Sequence, residues 1–263
     1  RFVPVLSKTN ILIDVIDLYE LMGSNPESKP SVAIYGMGYV GLTLATALSS
    51  LGIKVFGIDK DKKIIKNLSK GIVHVFEPRL DDMLKNSVKN KTLIFKDNTY
   101  ISNVEFHIVT VGTPINKKNK PEINDLKLVC KMISNNMKPN STIILRSTVP
   151  VGTTRKIVLP ILSKSKLKIG ESFFLSFCPE RTVEGNAIQE LFDIPQVIGG
   201  ITEKCVEKSA FLFKFLAKSI VRADAIEGAE LVKLLNNSFR DLSFSFSNGF
   251  IKLSEKFNID ANT

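Results

Sequence analysis

The sequence is poor in the residues that build metal sites and disulfide bridges. Its two histidines, His74 and His107, are far apart along the chain, and no metal site follows from them. The three cysteines, Cys130, Cys178 and Cys205, form no CxxC pair. An odd and sparse set of cysteines is typical of proteins in a reducing compartment. We therefore expect a cytoplasmic protein without a metal centre.

Long apolar runs and basic stripes are also missing. The formal net charge is +10, but the lysines are scattered over segments that read as solvated helix faces and loops. No basic stripe interleaved with aromatic residues favours nucleic acid, and no apolar run reaches the roughly 18 residues of a membrane span. Because the chain starts at Arg1 and shows no signal peptide, we expect it to be a piece of a longer protein.

Most of the chain alternates short apolar segments with helical patterns. Apolar, β-branched strands that alternate with helices predict a parallel sheet covered on both faces. We therefore expect an α/β fold, namely a Rossmann-like, doubly wound, mostly parallel sheet followed by a long connecting helix. The predicted strands are Val32–Tyr35, Lys54–Ile58, Thr92–Phe95, Phe106–Val111, Thr142–Leu145, Phe173–Phe177, Gln196–Ile198 and Ser219–Val221, and the predicted helices include Val40–Leu51, Asp61–Leu68, Leu126–Met137, Glu203–Leu216 and a long one from Ala225 to about Phe257.

This pattern predicts three regions. Residues 1–30 form an amino-terminal extension, in which Ile11 to Met22 is predicted to be an amphipathic helix because acidic residues interrupt its apolar ones. Residues 31–222 form the Rossmann-like, nucleotide-binding domain. Residues 223–263 form the long helix that begins a central domain. This helix exceeds an ordinary globular helix in length, so we expect a connection between domains and a homodimer contact.

The segment Gly36-Met37-Gly38-Tyr39-Val40-Gly41 fits the pattern GxGxxG between a predicted strand and a predicted helix. The first glycine allows a tight turn, the second lets the backbone approach a pyrophosphate, and the third lets helix and strand pack closely. The phosphates then face the amino end of the helix. Asp59 ends the next strand, where an acid accepts from ribose hydroxyls and repels a 2′-phosphate. We therefore predict NAD rather than NADP, although the lysines after Asp59 leave tolerance of a phosphate open.

Two more strand ends are expected at the same edge of the sheet. Thr113 follows the strand Phe106–Val111, and Thr148 follows the strand Thr142–Leu145. Ligands of open α/β sheets bind outside the carboxyl ends of the strands. We therefore expect both hydroxyl groups to face the cofactor.

Four further polar residues are candidates for chemistry. Glu180 and Glu184 follow the buried strand Phe173–Phe177, where a carboxylate is costly unless water, a hydrogen bond or a substrate compensates it. Lys233 and Asn237 lie one turn apart on the long helix and share a face. Lysine and asparagine together can hold an oxygen that gains negative charge.

In combination these motifs resemble the UDP-glucose/GDP-mannose dehydrogenase family. The resemblance covers about residues 31–260. The run PERTVEGNAIQEL followed by PQVIGG resembles the branch that acts on UDP-N-acetylhexosamines, especially UDP-N-acetylmannosamine. The matching segments are GMGYVGL (36–42), the acid Asp59, HVFEPRL (74–80), VGTP (111–114), STVPVGTT (147–154), CPERTVEG (178–185), PQVIGG (195–200) and AELVKLLNN (229–237).

The resemblance implies oxidation of a sugar C6 alcohol to a carboxylate by two NAD molecules in succession. It implies that Lys233 and Asn237 bind the C6 oxygen and that Thr148 and Glu180 hold a water near that carbon. Glu184 would lie near the nicotinamide and the sugar, as a candidate base for thioester hydrolysis. Which carboxylate does which task stays open. A base here would gain from burial, which raises the pKa of a carboxyl group toward neutrality.

Three features depart from the family pattern. Arg79 stands where the family commonly has glycine, and Ile64 stands where a basic residue often follows the ribose acid. The family's cysteine nucleophile, whose thiol traps the aldehyde, stands some tens of residues beyond the lysine–asparagine pair. It has no counterpart within these 263 residues. Cys178 stands before Pro-Glu, which is not the position of that nucleophile. We expect the chain alone to bind NAD without completing the four-electron oxidation.

Three other functions stay open at this point. A UDP-glucose 6-dehydrogenase is one of them. The 3-hydroxyacid dehydrogenases share the Rossmann start and a Gly-x4-Lys-x3-Asn helix, which Gly228, Lys233 and Asn237 fit, but should lack the Pro-Glu-x3-Glu segment. A module that only binds NAD or dimerises is the non-enzymatic alternative.

Overall fold

The computed structural model of the protein describes residues 29–97 and 99–260, together with the backbone of residues 2–6 and 12–17. Contacts divide the chain into two units, residues 1–30 and 31–263. In the first unit, β1 (Phe2–Leu6) and β2 (Leu12–Asp17) pair as antiparallel strands. The predicted helix from Ile11 to Met22 is therefore wrong over Leu12–Asp17, because this β-branched segment pairs with a second one instead of forming a helix. The rest of that predicted helix lies outside the described residues.

Eight strands form one sheet in the second unit. They are β3 (Ser31–Tyr35), β4 (Lys54–Asp59), β5 (Leu93–Asp97), β6 (Phe106–Val109), β7 (Ser141–Leu145), β8 (Phe173–Phe177), β9 (Gln196–Gly200) and β10 (Ile220–Arg222). Their order across the sheet is β10-β9-β8-β7-β6-β3-β4-β5. Neighbours run parallel except β8 and β9, which are antiparallel. The predicted Rossmann-like, mostly parallel sheet is thus confirmed.

Helices cover both faces of this sheet. They are α1 (Tyr39–Ser50), α2 (Lys62–Leu68), α3 (Leu80–Lys89), α4 (Asn124–Asn136), α5 (Leu159–Leu162, after a π-helical turn at Thr154–Val158), α6 (Ala187–Asp193), α7 (Glu203–Phe213) and α8 (Ile226–Lys256). The predicted long helix is confirmed as α8, whereas α3, α5 and α6 are not among the helices predicted from the sequence. Among the described residues, no helix is both long and apolar enough to cross a membrane.

Successive residues of a strand point to opposite faces of the sheet and pack into two separate apolar cores. Val32 and Ile34 of β3 pack into the core that contains residues of α1, α3, α6 and α7. Ala33 and Tyr35 point the other way, into the core that contains residues of α4, α5 and the start of α8. This two-sided burial explains why the strands read as continuous apolar runs rather than as alternating ones.

The sheet has one topological switch point. The chain passes from β3 outward to β4 and β5, then returns to pair β6 with the opposite side of β3. The loops that follow β3 and β6 therefore leave in opposite directions, and a crevice forms at the carboxyl ends of these strands.

Candidate active site

The loop after β3 has the geometry that its three glycines require. Gly36 has a φ of 100°, and its N–H donates to the carbonyl of Ile58 at 2.7 Å. A Cβ on Gly41 would lie 1.8 Å from the carbonyl oxygen of Gly36, so only glycine fits there. A Cβ on Gly38 would meet no atom within 4 Å. The chain itself leaves the space beside Gly38 open, at the amino end of α1.

A cavity of about 620 Å³ opens at the switch point. Five residues that the sequence assigns to the cofactor line it: Gly36, Gly38, Tyr39, Val40 and Asp59. Its apolar lining includes Ile58, Ile64, Leu128, Val129 and Met132. An apolar wall, a carboxylate and a helix amino end are the features that suit a base, a ribose and phosphates.

Asp59 has two tasks in this geometry. Its Oδ2 accepts from the N–H of Met37 at 2.7 Å, and its Oδ1 accepts from the N–H of Asp61 at 2.9 Å. The carboxylate therefore holds the glycine loop as well as lining the cavity. Lys60, one of the lysines that left a 2′-phosphate open, instead donates to Asp125 Oδ2 of α4 at 2.6 Å.

Glu180 lies beside a buried arginine that the sequence analysis missed. Arg146 follows β7 and Glu180 follows the neighbouring β8, so the two strand ends bring them together. Arg146 donates to Glu180 Oε2 from Nε at 3.0 Å and from Nη2 at 2.7 Å. Glu180 Oε1 accepts from the N–H groups of Arg181 at 2.7 Å and Thr182 at 2.8 Å. Both side chains are nearly inaccessible to solvent.

The expectation that burial raises the pKa of a carboxyl base in this segment is wrong for Glu180. Burial alone would raise its pKa, but the charge of Arg146 and the hydrogen bonds to the carboxylate outweigh this effect. The pKa is lowered from its ordinary value, and Glu180 is an anion at neutral pH. Arg146 could have been suspected from the sequence, because an arginine directly after an apolar strand needs a buried anion.

Arg146 also contacts the buried thiol of Cys178. Its Nη1 lies 3.2 Å from Cys178 Sγ and 3.0 Å from Gln196 Oε1, and its guanidinium stacks over the ring of Phe213. Burial raises the pKa of the Cys178 thiol to about 11. The thiol is therefore protonated at neutral pH and fully enclosed, which agrees with its exclusion as the nucleophile.

Lys233 of α8 is half-buried and lies within electrostatic reach of Glu180. Burial lowers the pKa of Lys233, the charge of Glu180 opposes this effect, and Arg240 adds to the lowering. No hydrogen bond or ion pair joins the Lys233 ammonium to any described residue. Asn237, one turn on, accepts from Arg240 Nη2 through its Oδ1 at 3.2 Å. The fold thus brings Lys233 within electrostatic range of residues 178–185 (the Pro-Glu segment), and no residue that the structure describes pairs with its ammonium group.

A buried carboxylate, also missed from the sequence, sets the position of α8. Glu230 is completely inaccessible. It accepts from the N–H of Gly152 at 2.5 Å, from the N–H of Thr154 at 2.8 Å and from the Thr154 hydroxyl at 2.6 Å. Arg155 pairs with Glu227 through two further bonds of 2.6 and 3.1 Å. These contacts fix the helix that carries Lys233 to the loop that follows β7.

The remaining predicted site residues are less enclosed. Thr113 donates from its hydroxyl to the carbonyl of Thr148 at 2.5 Å, so the two strand ends after β6 and β7 do meet. Neither threonine lines the cavity, and Gly41 does not line it either. Glu184 is exposed, and its charge acts on the hydroxyl of Tyr39 in the cavity wall. Glu184 is therefore within electrostatic range of the Tyr39 hydroxyl, although it does not line the cavity.

Residues 30–217 match the sequence profile of the UDP-glucose/GDP-mannose dehydrogenase family, NAD binding domain. The chain belongs to this family. The resemblance derived from the separate motifs is thereby confirmed, and the predicted cofactor, NAD, is confirmed with it.

Individual relatives of the family cover most of this chain. The UDP-N-acetyl-D-mannosamine dehydrogenase of Campylobacter jejuni is 33% identical over an alignment of 237 residues, and the match covers 87% of this chain and 58% of the relative. The solved structure of the UDP-D-ManNAc dehydrogenase from Pyrococcus horikoshii superposes with a TM-score of 0.81 at 29% identity, over 87% of this chain and 55% of that one. A ternary complex of GDP-mannose dehydrogenase from Pseudomonas aeruginosa gives 0.80 at 26% identity, over 87% and 54%. The chain thus spans little more than half the length of these relatives.

The backbone at Arg79 has the conformation that the family's glycine favours. The residue has a φ of 69°, in the left-handed region, directly before α3. Glycine adopts this region without strain, whereas an arginine carries the cost of its Cβ. The position therefore has the backbone that the family's glycine suits, although the side chain differs.

Proposed function

We propose that this chain is the NAD-binding part of a dehydrogenase that oxidises the C6 alcohol of a UDP-N-acetylhexosamine to the uronate. UDP-N-acetylmannosamine is the substrate we favour, because the names of the most similar curated relatives specify it. The observation that carries the proposal is the adjacency of two sites. Electrostatic interactions link Tyr39 in the wall of the NAD cavity to the exposed Glu184, and they link the anion Glu180 of the same segment to Lys233 of α8.

The cofactor would be held by the first half of the sheet. Gly36, Gly38 and Gly41 shape the loop that leaves room for the pyrophosphate at the amino end of α1, where Tyr39 and Val40 begin the helix. Asp59 would accept from the ribose hydroxyls with the acceptor sites that Met37 and Asp61 leave unused. Thr113 and Thr148 would place polar groups beside the nicotinamide. Bound NAD supplies a hydride acceptor.

The substrate groups would be held from α8 and the Pro-Glu segment. Lys233 and Asn237 would bind the C6 oxygen and stabilise the negative charge that it gains. The lowered pKa of Lys233 suits a group that exchanges a proton closer to neutral pH. Thr148 would hold a water near C6 beside the anion Glu180, and Glu184 would face the nicotinamide and the sugar.

We further propose that the nucleophilic thiol is not supplied by the three cysteines of this chain. Cys130, Cys178 and Cys205 are all buried, and burial raises the pKa of Cys130 to about 12 and that of Cys178 to about 11. A nucleophilic cysteine needs an accessible thiolate. The three reduced cysteines and the use of NAD also support a cytoplasmic location.

Two measurements test this function. Calorimetric titration of the chain with NAD should give saturable binding. Incubation with NAD and UDP-N-acetylmannosamine should give no accumulating uronate, with UDP-glucose and a 3-hydroxyacid as matched alternative substrates. Stoichiometric UDP-uronate formation by the chain would contradict the assignment of the thiol. Turnover of the 3-hydroxyacid would contradict the proposed substrate class.

We also propose a homodimer that forms through α8. From Leu231 onward the helix is mostly exposed, and it carries an apolar row: Leu235, Phe239, Leu242, Phe246, Phe250, Leu253 and Phe257. Exposed apolar rows of this size mark protein contacts. Sedimentation velocity should therefore give a dimer that Phe246→Glu dissociates. A wild-type monomer at high micromolar concentration would contradict the proposal.

A further inference from the structure

Glu77 is a buried carboxylate that the proposed reaction does not use. It lies in the segment between α2 and α3 and is 5% exposed. Its Oε2 accepts from the hydroxyl of Tyr39 and from the N–H of Gly185 at 2.8 Å. Its Oε1 lies 3.4 Å from the N–H of Ile188, at the start of α6. A carboxylate is buried in this way only when such partners compensate its lost hydration.

The two partners of Oε2 belong to different functional segments. Tyr39 begins α1 and lines the NAD cavity. Gly185 ends the Pro-Glu segment and directly follows Glu184. Glu77 therefore joins, through a single oxygen atom, the wall of the cofactor cavity to the backbone beside the exposed carboxylate.

Gly185 is a position where such a contact has a conformational effect. Its φ is 92°, and a Cβ built on it would meet no atom within 4 Å. The positive φ, rather than crowding, is what favours glycine here. The N–H of Val183 donates to Glu190 Oε2 at 2.7 Å on the other side of Glu184. The hydrogen bond from the N–H of Gly185 to Glu77 is therefore one of two that hold the backbone around Glu184, and it is the one that leads to the cofactor cavity.

The hydroxyl of Tyr39 keeps its proton and donates it in the hydrogen bond to Glu77. Burial raises its pKa, and the hydrogen bond to Glu77 raises the pKa further. The phenol therefore stays protonated over the physiological range, and the Tyr39–Glu77 bond persists with it.

We propose that Glu77 is a positioning residue that couples NAD occupancy to the conformation of residues 183–185, and hence to the position of Glu184. A cofactor against Tyr39 restricts the ring, the restricted hydroxyl fixes the carboxylate of Glu77, and the fixed carboxylate holds the N–H of Gly185. The proposal rests on the proposed function for the role of Glu184, but the coupling itself requires only NAD.

Amide hydrogen exchange of residues 182–186, with and without NAD, tests the coupling. Each variant is measured at NAD concentrations well above its own dissociation constant, so that differences in affinity do not enter. In the wild-type chain NAD should slow exchange about fivefold, the factor expected from ordering one hydrogen bond of ordinary net strength. Tyr39→Phe removes only the hydroxyl and should reduce the NAD effect to less than about twofold. Tyr100→Phe, a tyrosine outside the cavity lining, should keep the wild-type response.

Glu77→Gln provides a second variant. Its side chain keeps one oxygen acceptor and loses the other, so exchange should be faster without NAD and should respond less to NAD. An undiminished NAD effect in Tyr39→Phe would overturn the proposal and leave Glu77 a purely structural tie. An absence of any NAD effect on these amides in the wild-type chain would overturn it as well. Because no UDP-sugar is present, either result is distinct from a failure of the proposed oxidation.

Discussion

Replacing Arg146 by methionine removes the cation that compensates Glu180. The substitution keeps an unbranched side chain in the core but leaves Glu180 Oε2 without its two donors, while Oε1 keeps the two backbone N–H groups. Removing one partner of a buried ion pair costs about 3–5 kcal/mol, since the other charge stays buried. This is a large part of the roughly 5–15 kcal/mol that stabilises a typical protein. Urea unfolding followed by circular dichroism should show this loss of unfolding free energy.

The pH dependence of this loss has a definite sign. In the wild-type chain the pKa of Glu180 is lowered, so its contribution to stability is complete above the unfolded value of about 4.3 and is lost only as the pH falls further. Without Arg146, burial is opposed only by the hydrogen bonds from Thr182 and Arg181 and by the more distant charge of Lys233, and the pKa of Glu180 should rise above that unfolded value. The variant then takes up a proton as the pH falls from 7.5 to 4.5. The difference in unfolding free energy between wild type and variant should therefore shrink over this range.

Arg155→Met is the matched control. Arg155 pairs with Glu227 through two hydrogen bonds, as Arg146 does with Glu180, but the two side chains are 43% and 30% exposed. An exposed pair contributes less than about 1 kcal/mol. If Arg146→Met cost no more than Arg155→Met, or if its cost at pH 4.5 equalled that at pH 7.5, the electrostatic account of Glu180 would be refuted.

Four further substitutions test the cofactor site and its surroundings. Gly38→Ala should weaken NAD binding without lowering Tm, because its methyl meets only the space left for the ligand, whereas Gly41→Ala should lower Tm by its clash with Gly36; equal Tm losses would contradict this. Asp59→Ala should weaken NAD binding by more than about tenfold, as expected for lost hydrogen bonds to a charged group; calorimetry that gives an unchanged affinity would contradict the placement of the ribose. Arg79→Gly should raise the unfolding free energy by about 0.5–1 kcal/mol through relief of the left-handed backbone, and a decrease in the urea midpoint would contradict that.

The sheet could be predicted from the sequence because its strands are apolar on both faces. Each of the eight strands β3–β10 overlaps a predicted one. The helix α3 was predictable but was not predicted, because its buried residues Leu80, Leu84 and Ser87 recur at the intervals of four and three that a helix requires. The helix α6 has 7 residues, and its N-cap Asn186 makes no side-chain capping bond, whereas α2 of the same length begins after Asp61, whose side chain caps it. The error at Leu12–Asp17 has the opposite origin, because acidic residues at helix-like intervals concealed a β-branched strand.

The parts of the site that depend on short sequence motifs could be predicted. The glycine loop and Asp59 follow from one motif and one strand end, and both line the cavity. Arg146, Glu230 and Glu77 were missed because each is a buried charge with partners far along the chain, 34, 76 and 108 residues away. Only the fold shows that these charges are compensated. The sequence does show a charged residue within or directly after an apolar run. Such a residue requires a partner of opposite charge or several hydrogen-bond donors.

The two carboxylates of the Pro-Glu segment have different capacities. A carboxylate offers about four acceptor sites, and Glu180 already accepts four hydrogen bonds, two from Arg146 and one each from the N–H groups of Arg181 and Thr182. A water held by Glu180 would therefore have to share or displace one of these donors. Glu184 accepts no hydrogen bond from any described residue and is exposed within electrostatic range of the Tyr39 hydroxyl. We therefore propose that Glu180 provides fixed negative charge near Lys233, and that Glu184 is the carboxylate whose acceptor sites remain open, as a base requires.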